Sequence, residues 1–423
     1  MPEKKRCSFC KRPENEVKNL VGNDGGPYIC NKCAETVFQV LHKNAKETAT
    51  KGEDVPIRNP RGIKEFLDQY VISQERAKID LSVAVYNHYR RREHVQAHTG
   101  TIGDVDVQKS NVLILGPSGT GKTELVRTIG KMLNVPIYVA DATKLTQAGY
   151  VGEDVESMLQ GLIADAGGDI QRAEWGIIFI DEIDKIARKS GRGATGYRDV
   201  SGEGVQQALL KMIEGSKVNV PRNMQRLVSA DVQACDVMDT TNILFICSGS
   251  FEGGLEDIVR KRLGTKKIGF GSGADTGPIK LDKQGVYENA NEDDILEFGL
   301  IPELQGRLPV MTSTYPLTEQ EMVRILTEPK SALVKQQKVL FEMDGIDLQF
   351  DDDALLAIGK EATEKPTGAR ALRTIVERVL KRYSYEYRGE GDIEAIRITK
   401  DVILGNGEAL IKRKARKVVA ATG

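Results

Sequence analysis

No apolar stretch in this 423-residue sequence approaches the ~18–20 residues needed to span a bilayer, and runs such as Val112–Leu115 and Ile177–Ile180 stop far short. A helical membrane protein is thereby excluded. The N-terminus, MPEKKRCSFC, carries charge but no apolar segment behind it, so no secretory leader is read there and a cytoplasmic location is expected. Net charge is almost absent as well. Sixty basic residues stand against 61 acidic ones, leaving −1, so there is no global polycation to grip nucleic acid. Histidine is scarce, and His42, His88, His94 and His98 show no ligand spacing. Cysteine is limited to six residues, which in a reducing compartment argues against a disulfide framework. Four of the six are clustered in pairs, a pattern of metal binding, while Cys235 and Cys247 stand alone.

What remains is ordinary for a globular protein: 40% hydrophobic and 29% charged residues. At roughly 100–200 residues per domain the length allows about two to four domains. Residues 1–42 read as one small unit, with Cys7 and Cys10, a polar Gly-containing stretch, Cys30 and Cys33, then helical apolar spacing through Val37, Val40 and Leu41. Residues 43–62 are rich in charge, contain two prolines and read as a solvated linker. From residue 63 to 317 short apolar strands alternate with helices. Strands are expected at Asn111–Leu115, Pro136–Ala140, Gly176–Ile180 and Asn242–Cys247, and helices at Gln74–Arg92 and Thr123–Leu133. Nearly all-apolar strands between helices predict an α/β fold, a parallel sheet covered on both faces. Residues 318–411 read as a separate, mainly helical subdomain with amphipathic segments Glu319–Leu326, Pro329–Phe341, Asp352–Glu364 and Ala369–Tyr387. The tail, 412–423, begins with the basic run KRKARK.

Three motifs carry chemistry. Gly116-Pro117-Ser118-Gly119-Thr120-Gly121-Lys122-Thr123 lies between an apolar strand and a helix, as a P-loop requires. Its glycines let backbone N–H groups turn inward around phosphates, Lys122 supplies charge to the β/γ-phosphates, and the Thr123 hydroxyl can ligate Mg²⁺. The bland alternative is a chance Gly-rich turn. Some way downstream, Ile177–Ile180 ends in Asp181-Glu182. Asp181 is placed to hold the Mg²⁺ shell and Glu182 to orient and deprotonate an attacking water. Without the P-loop, such an acidic pair would read as a solvated turn. Finally, Cys7-x2-Cys10-x19-Cys30-x2-Cys33 falls within the spacing of a closed, structural Cys₄ zinc site. A pair of redox motifs or unliganded thiols are its alternatives.

Together with AGYVGEDV, GIIFIDEIDKI, RDVSGEGVQQALLKMIEG, GLIPELQGRLP and TGARALR, these motifs resemble the ClpX family, AAA+ unfoldases that partner the ClpP peptidase. The likeness runs from about Cys7 to the last helices. It implies an N-terminal Cys₄ zinc domain, an AAA+ P-loop module with a small helical C-terminal subdomain, and ATP, Mg²⁺ and Zn²⁺ as cofactors. It further implies a homohexameric ATPase without peptidase activity of its own, acting on tagged or unfolded proteins, with adaptors possible as partners. By the same likeness, Tyr150 and Val151 resemble a first pore loop gripping the threaded polypeptide, and Tyr197 and Arg198 a second. Arg307 matches an arginine finger reaching a neighbour's γ-phosphate. Arg370 matches a sensor arginine. Val71 and Ile72 resemble the segment packed on adenine, and the nucleotide set is completed by Gly116 to Thr123 with Glu124. Ile268, Gly269 and Phe270 match the loop that docks on the peptidase. Each has a bland reading too: a core tyrosine, a surface arginine, a helix-start charge, core aliphatics.

The chain departs from the pattern at 217–228, where only Arg222 and Arg226 stand in place of the family's longer basic loop. That puts recognition of the usual degradation tags in doubt. After the fourth strand, Ser248 and Ser250 leave the polar sensor unassigned. Two rival readings are a nucleic-acid motor, for which the KRKARK run speaks, and a remodelling chaperone without a peptidase.

Overall fold

The computed structural model describes residues 6–22, 26–34, 36–37, 59–97, 107–146, 153–188, 202–221, 235–265 and 283–414. These residues fall into two compact units, one within Met1–Pro56 and one within Ile57–Gly423.

Among its described residues the first unit buries few apolar side chains. Its strands Leu20–Gly22 and Tyr28–Cys30 pair antiparallel, Leu20 opposite Cys30, and a bridge joins Cys7 to Tyr28. Among the described residues its buried apolar side chains are Cys7 and Cys30. A unit this small commonly relies on a cross-link or a metal beside its apolar packing.

The second unit is built on a five-stranded parallel sheet. In chain order its main elements begin with helices α1 (Pro60–Asp68) and α2 (Glu75–Ala97), strand β1 (Val112–Leu115), helix α3 (Lys122–Leu133) and strand β2 (Ile137–Asp141). Helix α4 (Ser157–Asp165), strand β3 (Ile177–Asp181), helix α5 (Glu203–Glu214), strand β4 (Leu244–Gly249) and strand β5 (Val310–Ser313) follow. The strand order is β5-β1-β4-β3-β2. Sequence and structure agree within a residue or two on four of these strands. The fifth, β5, is short and lies between Pro309 and Pro316, which hides it among turn signals.

The sheet alternates as a doubly covered sheet must. Leu113, Leu115, Ile178, Ile180, Phe245 and Cys247 face one cluster, with α4 and α5. Val112, Ile114, Ile177, Phe179, Leu244 and Ile246 face the other, with α1, α2 and α3. Local chemistry sets the helix starts. The Asn59 side chain accepts from Gly62 N at 2.8 Å and Pro60 fills the first helical turn of α1. Asn134, at φ +52°, ends α3.

The chain then enters a third cluster, around helices α6 (Glu319–Thr327), α7 (Leu333–Glu342), α8 (Asp352–Thr363) and α9 (Arg370–Tyr387). A capping box between Thr318 and Glu321 starts α6. The four helices fall where amphipathic spacing puts them. A three-stranded sheet, β6 (Asp347–Phe350), β7 (Ile393–Ile398) and β8 (Leu410–Arg413), accompanies them and was not anticipated. Its strands mix buried and exposed residues and lack the all-apolar run that marks the strands of the large sheet.

Buried Asn111 stitches three segments at the foot of the large sheet. Its Nδ2 donates to Arg307 O at 3.0 Å, its Oδ1 accepts from Phe245 N at 3.2 Å, and its own carbonyl accepts from Val310 N at 3.3 Å. Asn111→Ala is expected to leave the buried Phe245 N–H unmade and to cost about 1–3 kcal/mol. A urea titration of the nucleotide-free chain measures this, and an unchanged midpoint would contradict it.

Candidate functional site

The C-terminal ends of β1, β3 and β4 meet the start of α9 around a cavity of about 490 Å³. Open α/β sheets bind ligands at this edge. The turn after β1 demands glycine for stated steric reasons. Gly116 sits at φ +142°, and a Cβ there would lie 2.2 Å from Thr314 Oγ1. Gly119 sits at φ +77°, and a Cβ there would lie 2.3 Å from Thr367 O. Gly121, at φ +95°, caps α3, so the helix N-terminus opens onto the cavity. Ser118, Gly119, Thr120, Gly121, Lys122, Thr123 and Glu124 all line it, while Gly116 and Pro117 form the turn behind.

Lys122 is buried, and its ammonium donates to Gly116 O at 2.6 Å and Pro117 O at 2.8 Å. Burial pulls its pKa down to about 8, against the opposing pull of Asp181 and Asp184, and with a further push from Arg370. Asp181, the last residue of β3, accepts from Thr123 Oγ1 at 3.3 Å and from Ser248 Oγ at 2.5 Å. The Thr123–Asp181 pair is the donor set a hydrated Mg²⁺ takes, hydroxyl and carboxylate side by side. Next to it Glu182 adopts φ +59°, its N–H bonded to Asp181 Oδ1 at 3.0 Å, and its side chain lines the cavity. A left-handed glutamate at a strand end is a costly conformation of the kind found at functional positions.

Val71 and Ile72 form a buried wall of the same cavity, and Arg370 enters it from the first turn of α9. Ala369 N donates to Gly119 O at 3.3 Å, so the small subdomain touches the phosphate loop directly. Arg307 is placed elsewhere. It is about half exposed, is held by Glu214 at 2.8 and 3.0 Å, and does not line the cavity. Tyr150, Val151, Tyr197, Arg198, Ile268, Gly269 and Phe270, with Arg222 and Arg226, lie outside the described residues.

The structure gives partners to the two serines that the sequence left without a role: Ser248, buried behind the cavity, binds Asp181, and Ser250, on the cavity lining, holds buried Asp184 through N at 3.1 Å and Oγ at 3.2 Å. Arg127 and Lys185 also line the cavity. Helical spacing offered one signal: Arg127 follows Thr123 by one turn on the same face of α3.

In the first unit, the sulfurs of Cys7, Cys10, Cys30 and Cys33 lie within 4.8 Å of one another. Cys10 Sγ is 3.6 Å from Cys30 Sγ. Backbone N–H donors, Cys10 first, lower the Cys7 pKa to about 6 despite burial. Sulfur crowding pushes Cys33 up to about 12, chiefly through its hydrogen bond with Cys10. Four sulfurs this close can ionise together only around a cation, and a Cys₄ set fits zinc.

Two outcomes follow from these geometries. Chelation is expected to open the first unit, so that Cys7, Cys10, Cys30 and Cys33 react with a thiol reagent only once the metal is stripped. Exposed Cys235 reacts in either state and buried Cys247 in neither. Equal rates with and without chelator would contradict a metal site. For the nucleotide cavity, a depressed lysine pKa means that Lys122 loses its proton above pH ~8 in the nucleotide-free chain. Binding an anionic phosphate then requires proton uptake, so ATP affinity is expected to fall by up to about tenfold per pH unit above ~8. Titration calorimetry in buffers of different ionisation heat reads that proton directly, and a flat profile would contradict it.

Comparison with known proteins accords with this geometry. The ClpX C4-type zinc finger matches residues 5–43, the AAA domain (Cdc48 subfamily) residues 107–311, and the C-terminal D2-small domain of ClpB protein residues 317–399. The ATP-dependent Clp protease ATP-binding subunit ClpX of Treponema denticola is 46% identical over 411 residues, 96% of each chain. That of Bacteroides thetaiotaomicron is 47% identical over 396 residues, 92% of this chain and 93% of its own. The subunit called ClpX 2 in Wolinella succinogenes is 41% identical over 414 residues, 97% and 98% of the two chains. Among the described residues no helix is long and apolar enough to cross a membrane. An α/β AAA+ module with a small C-terminal domain and a Cys₄ finger makes this an ATPase that takes ATP with Mg²⁺ and holds Zn²⁺. The chain belongs to the ClpX family of ATP-dependent Clp protease ATP-binding subunits.

Proposed function

We propose that the chain is the ring-forming unfoldase of a two-component protease, converting ATP hydrolysis into the unfolding and translocation of proteins into a ClpP-type peptidase. The observation that carries this reading is the cavity's composition. Lys122, Asp181 and Glu182 come from the α/β subdomain and Arg370 from the small one, while Arg307 is absent from its own chain's cavity lining and is paired with Glu214. A site that leaves its candidate finger arginine outside is completed by a neighbour, which suits a homohexamer.

In this reading Val71 and Ile72 pack on the base, the loop from Gly116 to Thr123 with Glu124 wraps the phosphates, and Lys122 neutralises the β/γ oxygens. Thr123 and Asp181 would hold Mg²⁺, which would supply neutralising charge to the phosphates. Glu182 accepts the proton of the water that attacks the γ-phosphorus, and the bond to the bridging oxygen breaks as ADP leaves. Arg307 of a neighbouring subunit stabilises the charge on the transferring group, and Arg370 senses it. The resulting subdomain rotation moves Tyr150 and Val151, with Tyr197 and Arg198, along the channel. Ile268, Gly269 and Phe270 dock in a pocket of the peptidase. The functional divisions are the zinc domain at 1–42, a tether at 43–62, the large subdomain at 63–317, the small one at 318–411 and a basic tail at 412–423. The chain acts in the cytoplasm, on tagged or unfolded substrates, with adaptors as further partners.

The test is loss of fluorescence from a stably folded, tagged fluorescent protein incubated with the chain, ATP and Mg²⁺. Wild type is expected to unfold it, and Glu182→Gln to bind ATP yet lose roughly 10²–10⁴ in turnover and all unfolding. Hydrolysis without unfolding of tagged or untagged substrates would defeat the reading. Added peptidase then separates a protease subunit from a free-standing chaperone: Phe270→Ala is expected to abolish degradation and leave unfolding intact.

A further inference from the structure

Immediately after the wall residues Val71 and Ile72, the backbone does something expensive. Ser73 at φ +59° and Gln74 at φ +62° are two successive non-glycine residues in the left-handed region. Such a turn persists only when its surroundings hold it. Here the holder is Gln74 itself, which is 1% exposed. Its Nε2 donates to Tyr315 O at 2.8 Å, and its Oε1 accepts from Tyr315 N at 3.0 Å. A primary amide carries one donor and one acceptor side by side, so it pairs with a single residue's main chain much as a neighbouring strand would. Gln74 N adds a third bond, to the Tyr315 hydroxyl at 3.3 Å.

Tyr315 lies where the chain leaves β5 for α6, the crossing between the two subdomains. The same junction is tied a second time through Glu321, the capping residue of α6. Its carboxylate accepts from Thr318 N at 2.8 Å and Thr318 Oγ1 at 2.9 Å, and the Tyr315 hydroxyl lies 3.4 Å away. The Ser73 side chain also hydrogen-bonds Glu321. One residue further back from the wall, Gln69 O accepts from Lys330 N at 2.9 Å. The wall segment is thus bracketed, by Gln69 on one side and by Ser73–Gln74 on the other, and both brackets end on the small subdomain or its entry.

We infer that Gln74 is a positioning residue for nucleotide-base affinity: it clamps the Val71–Ile72 wall to the subdomain crossing at Tyr315. The inference rests on the reading that Val71 and Ile72 face the base. With the clamp made, the wall is preformed and the strained turn is held. With it broken, Ser73 and Gln74 relax toward ordinary φ values and the wall swings out of register with the phosphate loop. Phosphate contacts made by Lys122 and Thr123 do not pass through Gln74, so the chemistry of bound nucleotide is left in place.

The full chain carrying Gln74→Glu or Gln74→Asn tests this by steady-state hydrolysis of ATP and of GTP, with thermal melting as the check on folding. Gln74→Glu keeps the shape but sets an acceptor against Tyr315 O. Gln74→Asn keeps the amide but shortens its reach. The expected result is a KM for ATP raised about tenfold, as for one buried hydrogen bond lost, with kcat within about twofold. The KM for GTP changes much less, so the preference for ATP shrinks. Ile72→Ala runs beside them. If it raises the KM for ATP and the Gln74 variants do not, the clamp inference is overturned and the base reading stands. If none of the three raises it, the base reading falls and takes the inference with it. A fall in kcat for both nucleotides at unchanged KM also overturns the inference. Should Gln74→Asn fail to fold, the isosteric Gln74→Glu decides the matter alone.

Discussion

Everything in the nucleotide cavity depends on one carboxylate, that of Asp181. It accepts hydroxyl hydrogen bonds from Thr123, which follows β1, and Ser248, at the end of β4, so three strand ends converge on it. That convergence is a matter of register. Ile180 lies opposite Cys247, and Gly249 opposite Leu115. Side chains alternate with a period of two, so a one-residue slip of β3 against β4 would turn Asp181 into the apolar cluster that Ile180 now fills. Burial of both sheet faces fixes the register strongly, which is how a hydrophobic core positions a polar site.

The second constraint is the contact between the phosphate loop and the small subdomain. Gly119 has no room for a side chain because Thr367 O stands 2.3 Å from where its Cβ would be. Gly119 O also accepts from Ala369 N, one residue before Arg370. A loop that wraps phosphate and a subdomain that touches the loop cannot move independently. On the proposed reading, a change at the γ-phosphate position would reach α9 through this backbone contact and through Arg370, without any long chain of intermediaries. The Gln74–Tyr315 pairing supplies a second attachment, beside the Val71–Ile72 wall. On the proposed reading these two attachments would flank the bound nucleotide as a hinge.

Legibility in the sequence followed the distance over which each feature is encoded. The phosphate loop and Asp181-Glu182 are written in contiguous residues beside apolar strands, so spacing alone placed them. The four cysteines are legible because a CxxC knuckle is local. Ser248 was invisible as a site residue, because its partner is 67 residues away and only the strand order brings them together. The same holds for Gln74, whose partner Tyr315 is 241 residues distant. Strand β5 and the small sheet were missed for another reason. Short edge segments such as Leu410–Arg413, largely exposed, carry too little alternation to stand out from loop.

The two units also illustrate two ways of holding a fold. The second buries three apolar clusters and can spend conformational strain on Glu182, Ser73 and Gln74. In the first, the buried apolar side chains among the described residues are Cys7 and Cys30, and the four cysteine sulfurs face one another. Metal affinity there is folding free energy. On the reading proposed for this chain, a domain whose folding is coupled to metal binding makes partner recognition by that domain depend on zinc, while the chemistry of ATP hydrolysis rests on residues of the second unit alone.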